Sequence, residues 1–302
     1  MPEPLYIDGI EIQDAFAEAF PMTATRVIIT ANDDYWARQA AESMTGFGTS
    51  VIACGCEAGI ERAVSPNETP DGRPGYAVML FAMSGKELEK QLTRRVGQCV
   101  LTCPSSSVFA GMDGEKKIAL GDHVRYFGDG FQQSKVIDGR RYWRVPVMDG
   151  EFVCEAKTAR QSAVGGGNFL VLSETLQGAL DACKAAMQAM EALPRVIMPF
   201  PGCVARSGSK VGSKYKSLVA STNDAFCPTL RHVTKTLLPE GVAAALEVVI
   251  DGLSEEDVAE AMRVGIRAAC KVGKHTGLRA ITAGNYGGKL GPYHFHLHKI
   301  LQ

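Results

Sequence analysis

The sequence predicts an α+β fold made of two duplicated ferredoxin-like (βαββαβ) lobes. A strand–helix–strand pattern occurs four times along the chain, and two such units in succession form one lobe of this kind. The 302 residues are enough for two domains, and a hydrophobic content of 46% is enough for a substantial core. We therefore expect an N-terminal lobe over residues 1–148 and a C-terminal lobe over residues 149–302.

The first lobe contains the first two units. Asn32 or Asp33 can cap the first helix and Gly46 can end it, while Ser84 and Glu87 form a capping box at the second helix. The predicted elements are the strand Arg26–Thr30, a helix from near Asp33 to Gly46, the strands Ser50–Ala53 and Tyr76–Ala82, the helix Ser84–Val96, the strand Gln98–Thr102, and a hairpin over Val136–Val147 that turns at Asp138 and Gly139.

The second lobe contains the third and fourth units. Pro194 stops the first of its helices, and Ser254 begins the second. The predicted elements are the strand Phe169–Leu172, the helix Glu174–Ala192, the strands Arg195–Met198 and Ala244–Ile250, a helix that follows Ser254, and the strand Leu278–Thr282.

Four connecting segments lack a secondary-structure pattern. Long connections of this kind in compact domains are usually functional. Three of the four are in the second half of the chain, so we expect the ligand-contacting surface there or at the seam between the lobes. The segments are Glu68–Gly75, Gly165–Asn168, Phe200–Pro239 and Gly284–Gly291.

Composition excludes several classes of function. A net charge of −1 gives no overall field for nucleic acid or an anionic membrane, and the most apolar stretch, Ala243–Ile250, is too short to span a bilayer and contains Glu247. The acidic first twenty residues do not resemble a secretory signal, and the nine scattered cysteines form no C-x-x-C pair. We expect a cytoplasmic protein with reduced thiols, no membrane contact and no nucleic-acid partner.

Glu247 is a lone carboxylate in the apolar strand Ala244–Ile250. Strand alternation puts it on one face with Ala245 and Val249. If that face is covered, desolvation raises the pKa of Glu247 and makes it a candidate acid or base at neutral pH. If the face is solvated, Glu247 is an ordinary surface residue, and the pattern alone does not separate the two.

Two polar segments are candidate binding loops. Arg206 and Lys210 occur among serines and glycines, a composition suited to a carboxylate or a phosphate, although a solvated polar loop has the same composition. The run Ser221–Ala225 offers several short hydrogen-bonding side chains, which fit a binding loop or simple turn capping.

Other chemistries lack their motifs. His294, His296 and His298 alternate on the predicted last strand, a spacing that can present imidazoles to zinc, but no carboxylate or cysteine cluster accompanies them and we predict no metal site. The sequence has no G-x-G-x-x-G, no P-loop and no G-x-S-x-G motif. These absences favour direct transfer between two bound substrates over a covalent enzyme intermediate.

Seven segments together resemble the formylmethanofuran:tetrahydromethanopterin formyltransferase family. The resemblance runs with few gaps from Ile7 to His298. It implies two ferredoxin-like lobes per subunit, a dimer of dimers, no prosthetic group or metal, and reversible formyl transfer between the amine of methanofuran and N5 of tetrahydromethanopterin as co-substrates. The segments are Thr45–Ser50, Glu68–Gly75, Phe127–Gly130, Ser207–Lys214, Ser221–Pro228, Glu255–Ile266 and Ala283–Gly291.

The resemblance also implies site residues. Glu247 matches the family's proposed catalytic carboxylate, and Lys210 or Arg206 would meet an acidic tail of methanofuran or of the pterin. The residues expected to bind substrate are Lys210, Ser209, Arg206, Asn223, Asp224, Asn168 and Asn285.

The chain departs from the strongly acidic archaeal members of this family. It is nearly neutral, has nine cysteines and carries Arg140, Arg141 and Arg144 in one stretch. These features resemble the version in methylotrophic bacteria, a subunit of a formyltransferase/hydrolase complex, and imply formylmethanofuran hydrolase subunits as partners. A noncatalytic scaffold subunit and an enzyme that acts on a folate are the alternatives.

Overall fold

The computed structural model describes residues 4–302, which form two compact units. The inner unit is Met22–Ala163. The terminal unit consists of the described residues up to Pro21 together with Val164–Gln302, so the start of the chain packs with its second half. The division into lobes 1–148 and 149–302 is a division along the sequence and stays a prediction.

The inner unit is a mixed α+β structure. Its strands are the later part of β3 (Phe16–Thr30), β4 (Glu57–Val64), β5 (Gly75–Ala82), β6 (Ser107–Ala110), β7 (Lys117–Ala119), β8 (Gln133–Ile137), β9 (Arg140–Val147), β10 (Gly150–Glu155) and β11 (Lys157–Ala159). Its helices are α1 (Asp34–Thr45), α2 (Val51–Cys54), α3 (Gly85–Arg95) and α4 (Gly121–Val124), with a π-helical turn at Val96–Val100 and 3-10 turns at Pro66–Glu68 and Arg125–Gly128.

The sheet of the inner unit has the strand order β4-β5-β3-β6-β10-β9-β8. α1 and α3 pack against it and bury an apolar core that includes Met44, Leu88 and Leu92. Asp33 caps α1 through its Oδ1, which accepts from the N–H of Trp36 at 3.0 Å. The predicted hairpin is confirmed, with Asp138 and Gly139 both at positive φ in its turn.

Two predicted strands of this unit are wrong. Ser50 caps the helical turn α2, so Ser50–Ala53 is not a strand, and the strand comes later as β4. The run Gln98–Thr102 continues α3 through the π turn, in which the N–H of Leu101 donates to the carbonyl of Val96 at 2.9 Å. Both runs are short and apolar, and periodicity does not separate helix from strand over so few residues.

The terminal unit is also mixed α+β. Its strands are β1 (Leu5–Ile7), β2 (Ile10–Ile12), the first part of β3, β12 (Gln161–Ser173), β13 (Val196–Ile197), β14 (Lys210–Val211), β15 (Ala220–Ser221), β16 (Ala244–Gly252), β17 (Leu278–Thr282) and β18 (Tyr293–His296). Its helices are α5 (Leu176–Met190), α6 (Glu255–Gly273) and α7 (Leu297–Ile300), with 3-10 turns at Pro201–Cys203, Asp224–Phe226 and Pro228–Leu230.

The sheet of the terminal unit has the strand order β1-β2-β17-β12-β16-β13, and β18 pairs with the start of β3. α5 and α6 cover one face, where they bury Phe169, Val171 and Val248. The opposite face of β12 and β16 carries Leu170, Leu172 and Glu247, because side chains alternate along a strand.

Three further predictions need correction. The Gly165–Asn168 segment is not a loop but part of β12, where the register with β16 shifts between Val164 and Gly167. His298 lies in α7 and not on a strand, so the three histidines do not share a strand face. The capping box is half formed: Ser84 accepts from the N–H of Glu87, but the Glu87 carboxylate accepts from Lys90 and Gln91.

No helix within residues 4–302 is long and apolar enough to cross a membrane.

Candidate functional site

Glu247 lies in the middle of β16, at a point where this strand is paired on both edges. On one side it pairs with Leu170 of β12. On the other it exchanges two backbone hydrogen bonds with Ala205, with N–O distances of 2.8 and 2.9 Å. A strand paired on both edges is a rigid support, so the position of the carboxylate is well defined.

The sheet face that carries Glu247 is apolar and partly covered. Leu238 and Val242, which precede β16 in the chain, supply part of this cover, and Glu247 itself is partly buried. Burial raises the pKa of Glu247 to about 7, and no neighbouring charge or hydrogen-bond donor among residues 4–302 opposes this rise. The sequence left open a covered face or a solvated one, and the structure lies between the two, because Ala245, Glu247 and Val249 are all half-buried. The apolar cluster beside Glu247 consists of Leu170, Leu172, Leu238, Val242 and Ala280.

Asn168 holds Gly284, which follows the end of β17, close to the Glu247 carboxylate. The Asn168 Oδ1 accepts from the N–H of Gly284 at 2.6 Å, and its Nδ2 donates to the carbonyls of Gly284 and Gly166, both at 3.1 Å. A Cβ atom on Gly284 would lie 3.1 Å from Asn168 Oδ1 and 3.5 Å from Glu247 Oε1. The backbone therefore passes close to the Glu247 carboxylate, and three hydrogen bonds to the Asn168 amide hold it there.

Glu18 is a buried carboxylate that sequence reasoning missed. It lies on β3 and accepts hydrogen bonds from four backbone N–H groups of the Gly284–Gly291 loop. Burial alone would raise the pKa of Glu18, but the four donors outweigh it and hold the pKa at about 2. The sequence pattern that identified Glu247, a lone carboxylate in an apolar strand, also occurs at Glu18, in the run Phe16–Phe20. It could have identified Glu18 in the same way.

Lys210 and Asp224 form an ion pair across the β14–β15 hairpin region. The Lys210 ammonium donates to Asp224 Oδ1, and this hydrogen bond holds the pKa of Asp224 below its usual value. Asn223 lies beside Gly208, since a Cβ atom on Gly208 would be 3.3 Å from Asn223 Cβ. Three of the predicted binding residues are therefore brought together.

The remaining predicted residues lie on the connections of the same unit. The hydroxyl groups of Ser209 and Tyr286 are 3.4 Å apart, which links the Lys210 segment to the Gly284–Gly291 loop. Asn285 donates to the carbonyl of Phe16 at 3.3 Å. Arg206 is exposed and directly follows Ala205, the backbone partner of Glu247.

The described residues contain no group of three His, Cys, Asp or Glu side chains arranged to hold a metal ion. His294 and His298 instead make single contacts with the carbonyl oxygens of Gly291 and Ile12, at 3.0 and 2.7 Å. The two histidines are thus engaged with the backbone.

Two family models together match almost the whole chain. The model described as formylmethanofuran-tetrahydromethanopterin formyltransferase matches residues 5–147, and the model described as its proximal lobe matches residues 150–300. The chain belongs to this formyltransferase family.

The similarity to individual formyltransferases supports this membership. The formylmethanofuran–tetrahydromethanopterin formyltransferase of Methylococcus capsulatus is 63% identical, over 98% of this chain and 100% of the relative. The formyltransferase/hydrolase complex of Methylorubrum extorquens, solved with methylofuran, contains a chain that is 50% identical, with a TM-score of 0.96 over 99% of each chain. The Methanosarcina barkeri formyltransferase is 45% identical, with a TM-score of 0.92 over 98% of this chain and 100% of that chain.

The arrangement around Glu247 suits proton transfer at neutral pH. A carboxyl group with a pKa near the working pH can both give and take a proton, which is the requirement for general acid–base catalysis. Its apolar surroundings also strengthen any hydrogen bond that it donates to a bound substrate.

Proposed function

We propose that this chain transfers a formyl group reversibly between the amine of methanofuran and N5 of tetrahydromethanopterin. The observation that carries this proposal is the match to formyltransferases of that name over essentially the full length of both chains. The family's reaction needs two co-substrates and no prosthetic group.

In this proposal the two substrates react directly. The attacking amine forms a new C–N bond to the formyl carbon, and the tetrahedral intermediate carries a negative oxygen until the old C–N bond breaks. One proton leaves the attacking nitrogen and one reaches the leaving nitrogen. The enzyme must hold the reactants in attack geometry and stabilise the oxyanion.

Glu247 is the proposed catalytic residue. Its raised pKa leaves a large fraction of the carboxyl group protonated at neutral pH, so it can donate a hydrogen bond to the oxyanion and a proton to the leaving amine. Its support on a doubly paired strand favours a fixed geometry. This role requires the protonated form, so activity should fall as pH rises above about 7.

The other predicted site residues are proposed to bind substrate. Lys210 and Arg206 would attract acidic groups, and polar side chains near them would add hydrogen bonds. The ion pair of Lys210 with Asp224 supplies both a donor and an acceptor in one place. The proposed binding set is Lys210, Ser209, Arg206, Asn223, Asp224, Asn168 and Asn285.

We also propose the duplicated ferredoxin-like lobes, divided at residue 148. Support for the duplication comes from the strand orders β6-β3-β5-β4 and β17-β12-β16-β13. In each set the last strand in the chain lies at one edge of the sheet, and the first, third and second strands follow it in that order. The two sets therefore share one connection pattern.

The proposed assembly is a homotetramer in the cytoplasm, with hydrolase subunits as partners. The Methylorubrum structure is a formyltransferase/hydrolase complex, and its formyltransferase-like chain matches this one over its whole length. All nine cysteines are free, as is usual in a reducing compartment.

The test is formyl transfer by the purified chain alone, with formylmethanofuran as donor and either tetrahydromethanopterin or tetrahydrofolate as acceptor. We expect turnover with tetrahydromethanopterin only, and a molar mass from light scattering of four times 32.3 kDa. Turnover with tetrahydrofolate only would show that the acceptor is a folate and not tetrahydromethanopterin. No turnover by folded protein with either acceptor, even with the hydrolase subunits added, would contradict the proposal and favour a scaffold.

A further inference from the structure

The buried carboxylate of Glu18 organises the loop Gly284–Gly291. Its Oε2 accepts from the N–H groups of Tyr286 and Gly288, at 2.7 and 2.8 Å. Its Oε1 accepts from Leu290 and Gly291, at 2.6 and 2.7 Å. Both oxygens thus accept two charge-assisted hydrogen bonds each, which is the full capacity of an ionised carboxylate.

The backbone of the loop is shaped around this charge. Gly287 and Gly288 have φ values of 84° and 70°, a left-handed conformation that folds the chain so that the N–H groups of Tyr286 and Gly288 both reach Glu18 Oε2. A Cβ atom on Gly291 would lie 2.2 Å from the carbonyl oxygen of Ala19, so the loop is pressed against β3 next to Glu18. No strand lies within the loop, and four of its backbone N–H groups have the Glu18 carboxylate as their partner.

The first residues of the same loop reach the candidate site. At its start, Gly284 donates to Asn168 and lies against the Glu247 carboxylate, while its carbonyl accepts from the backbone N–H of Glu18 at 3.2 Å. Two residues further on, the Tyr286 ring lies 5.9 Å from that of Phe20. Its hydroxyl group is 3.4 Å from Ser209 Oγ.

We propose that Glu18 is a positioning residue for formyl transfer, and that its charge fixes the loop so that Asn285 and Tyr286 meet the substrate beside Glu247. The proposal rests on the proposed function, because it assigns Glu18 to the same site. Glu18 is 0% exposed and does not touch the substrate. It acts through the backbone that it holds.

A neutral side chain of the same shape does not replace this anchor. In Glu18→Gln, one oxygen becomes an NH₂ group that faces two N–H donors, so at least two of the four hydrogen bonds are lost. The remaining oxygen is uncharged, which weakens the other two. The loop should therefore open locally while the sheet of the terminal unit stays folded.

Hydrogen exchange tests the anchor independently of activity. In Glu18→Gln we expect the amides of Tyr286, Gly288, Leu290 and Gly291 to exchange roughly 10- to 100-fold faster than in the wild type, the factor expected for loss of charged hydrogen bonds. The matched control is Glu11→Gln, the same chemical change on β2 of the same unit. The control should leave all four amides unchanged.

Steady-state kinetics test the positioning role. We expect the KM of at least one substrate to rise roughly tenfold in Glu18→Gln, with a smaller fall in kcat and an unchanged kinetic pKa for Glu247. A purely structural role would instead lower the amount of active enzyme, which reduces the apparent kcat and leaves KM unchanged. Glu11→Gln should match the wild type in both constants.

The outcomes separate the two proposals. If the four amides exchange faster in Glu18→Gln but the wild type itself transfers no formyl group, the proposed function is contradicted, and with it the role of Glu18. Transfer with unchanged KM or unchanged exchange would overturn the positioning role alone. If Glu18→Gln does not fold, residue-resolved exchange of the wild type decides: the four amides must be protected while that of Lys289 exchanges fast, and equal rates would overturn the inference.

Discussion

Glu247 and Glu18 are both carboxylates on apolar strands of the terminal unit, and their surroundings move their pKa values in opposite directions. Glu247 lies beside apolar side chains, and burial raises its pKa to about 7. Glu18 is surrounded by four N–H groups that hold its pKa at about 2. The same sequence pattern thus yields a carboxyl group that is partly protonated at neutral pH in one place and an ionised carboxylate in the other.

The raised pKa of Glu247 makes a prediction for stability. Its pKa in the unfolded chain is near 4.5, so between about pH 4.5 and 7 the folded state binds more protons and its stability falls as pH rises. The pKa of Glu247 rises from 4.5 to about 7 on folding. Each pKa unit corresponds to about 1.4 kcal/mol, so the loss of folding stability reaches about 3 kcal/mol above pH 7. Glu247→Gln removes the titration.

The measurement is the free energy of unfolding of both chains by urea titration at about pH 4 and about pH 8. Glu247→Gln should gain stability relative to the wild type by about 3 kcal/mol between these values. A difference between the two chains that does not change with pH would mean that the carboxylate is solvated.

At the scale of elements, close backbone approach fixes how α5 lies on its sheet. A Cβ atom on Gly178 would lie 2.1 Å from the carbonyl oxygen of Thr276 and 2.7 Å from Ser173 Oγ. The first obstacle is backbone and cannot rotate away. The helix can therefore pack at this distance only with glycine at that position.

We predict that Gly178→Ala lowers the free energy of unfolding by about 1–3 kcal/mol, despite the better helix propensity of alanine, because the overlap must be relieved by shifting backbone. The matched control is Gly97→Ala in the π turn, where an added Cβ atom meets nothing within 4 Å. The control should keep the stability of the wild type or raise it by up to about 1 kcal/mol, because only the better helix propensity of alanine acts there. Equal effects of the two substitutions would contradict this account of the packing.

At the scale of the whole molecule, much of the α+β fold could be predicted from local patterns. The helices around α1, α3, α5 and α6 are confirmed because their caps and apolar spacing are both local signals. The strands at Ser50–Ala53 and Gln98–Thr102 are wrong because short apolar runs fit helices equally well.

The candidate site could be predicted only in part. Strand alternation identified Glu247, but the partial cover of its sheet face comes from Leu238 and Val242, which lie outside the strand. The clamp of Asn168 on Gly284 joins residues 116 positions apart, and Glu18 reaches its loop from the start of the chain. No local periodicity encodes contacts of such long separation, which arise only when the sheet assembles.

The central claim is that Glu247 donates the proton in formyl transfer, and the most direct test compares kcat and KM of the wild type, Glu247→Gln and Glu240→Gln, the last an exposed glutamate of the same unit. We predict that kcat falls at least about 100-fold in Glu247→Gln, with both KM values within about threefold, because the lost interaction acts in the transition state. The wild-type kcat should decline above about pH 7, and Glu240→Gln should match it. An unchanged kcat in Glu247→Gln would contradict the account.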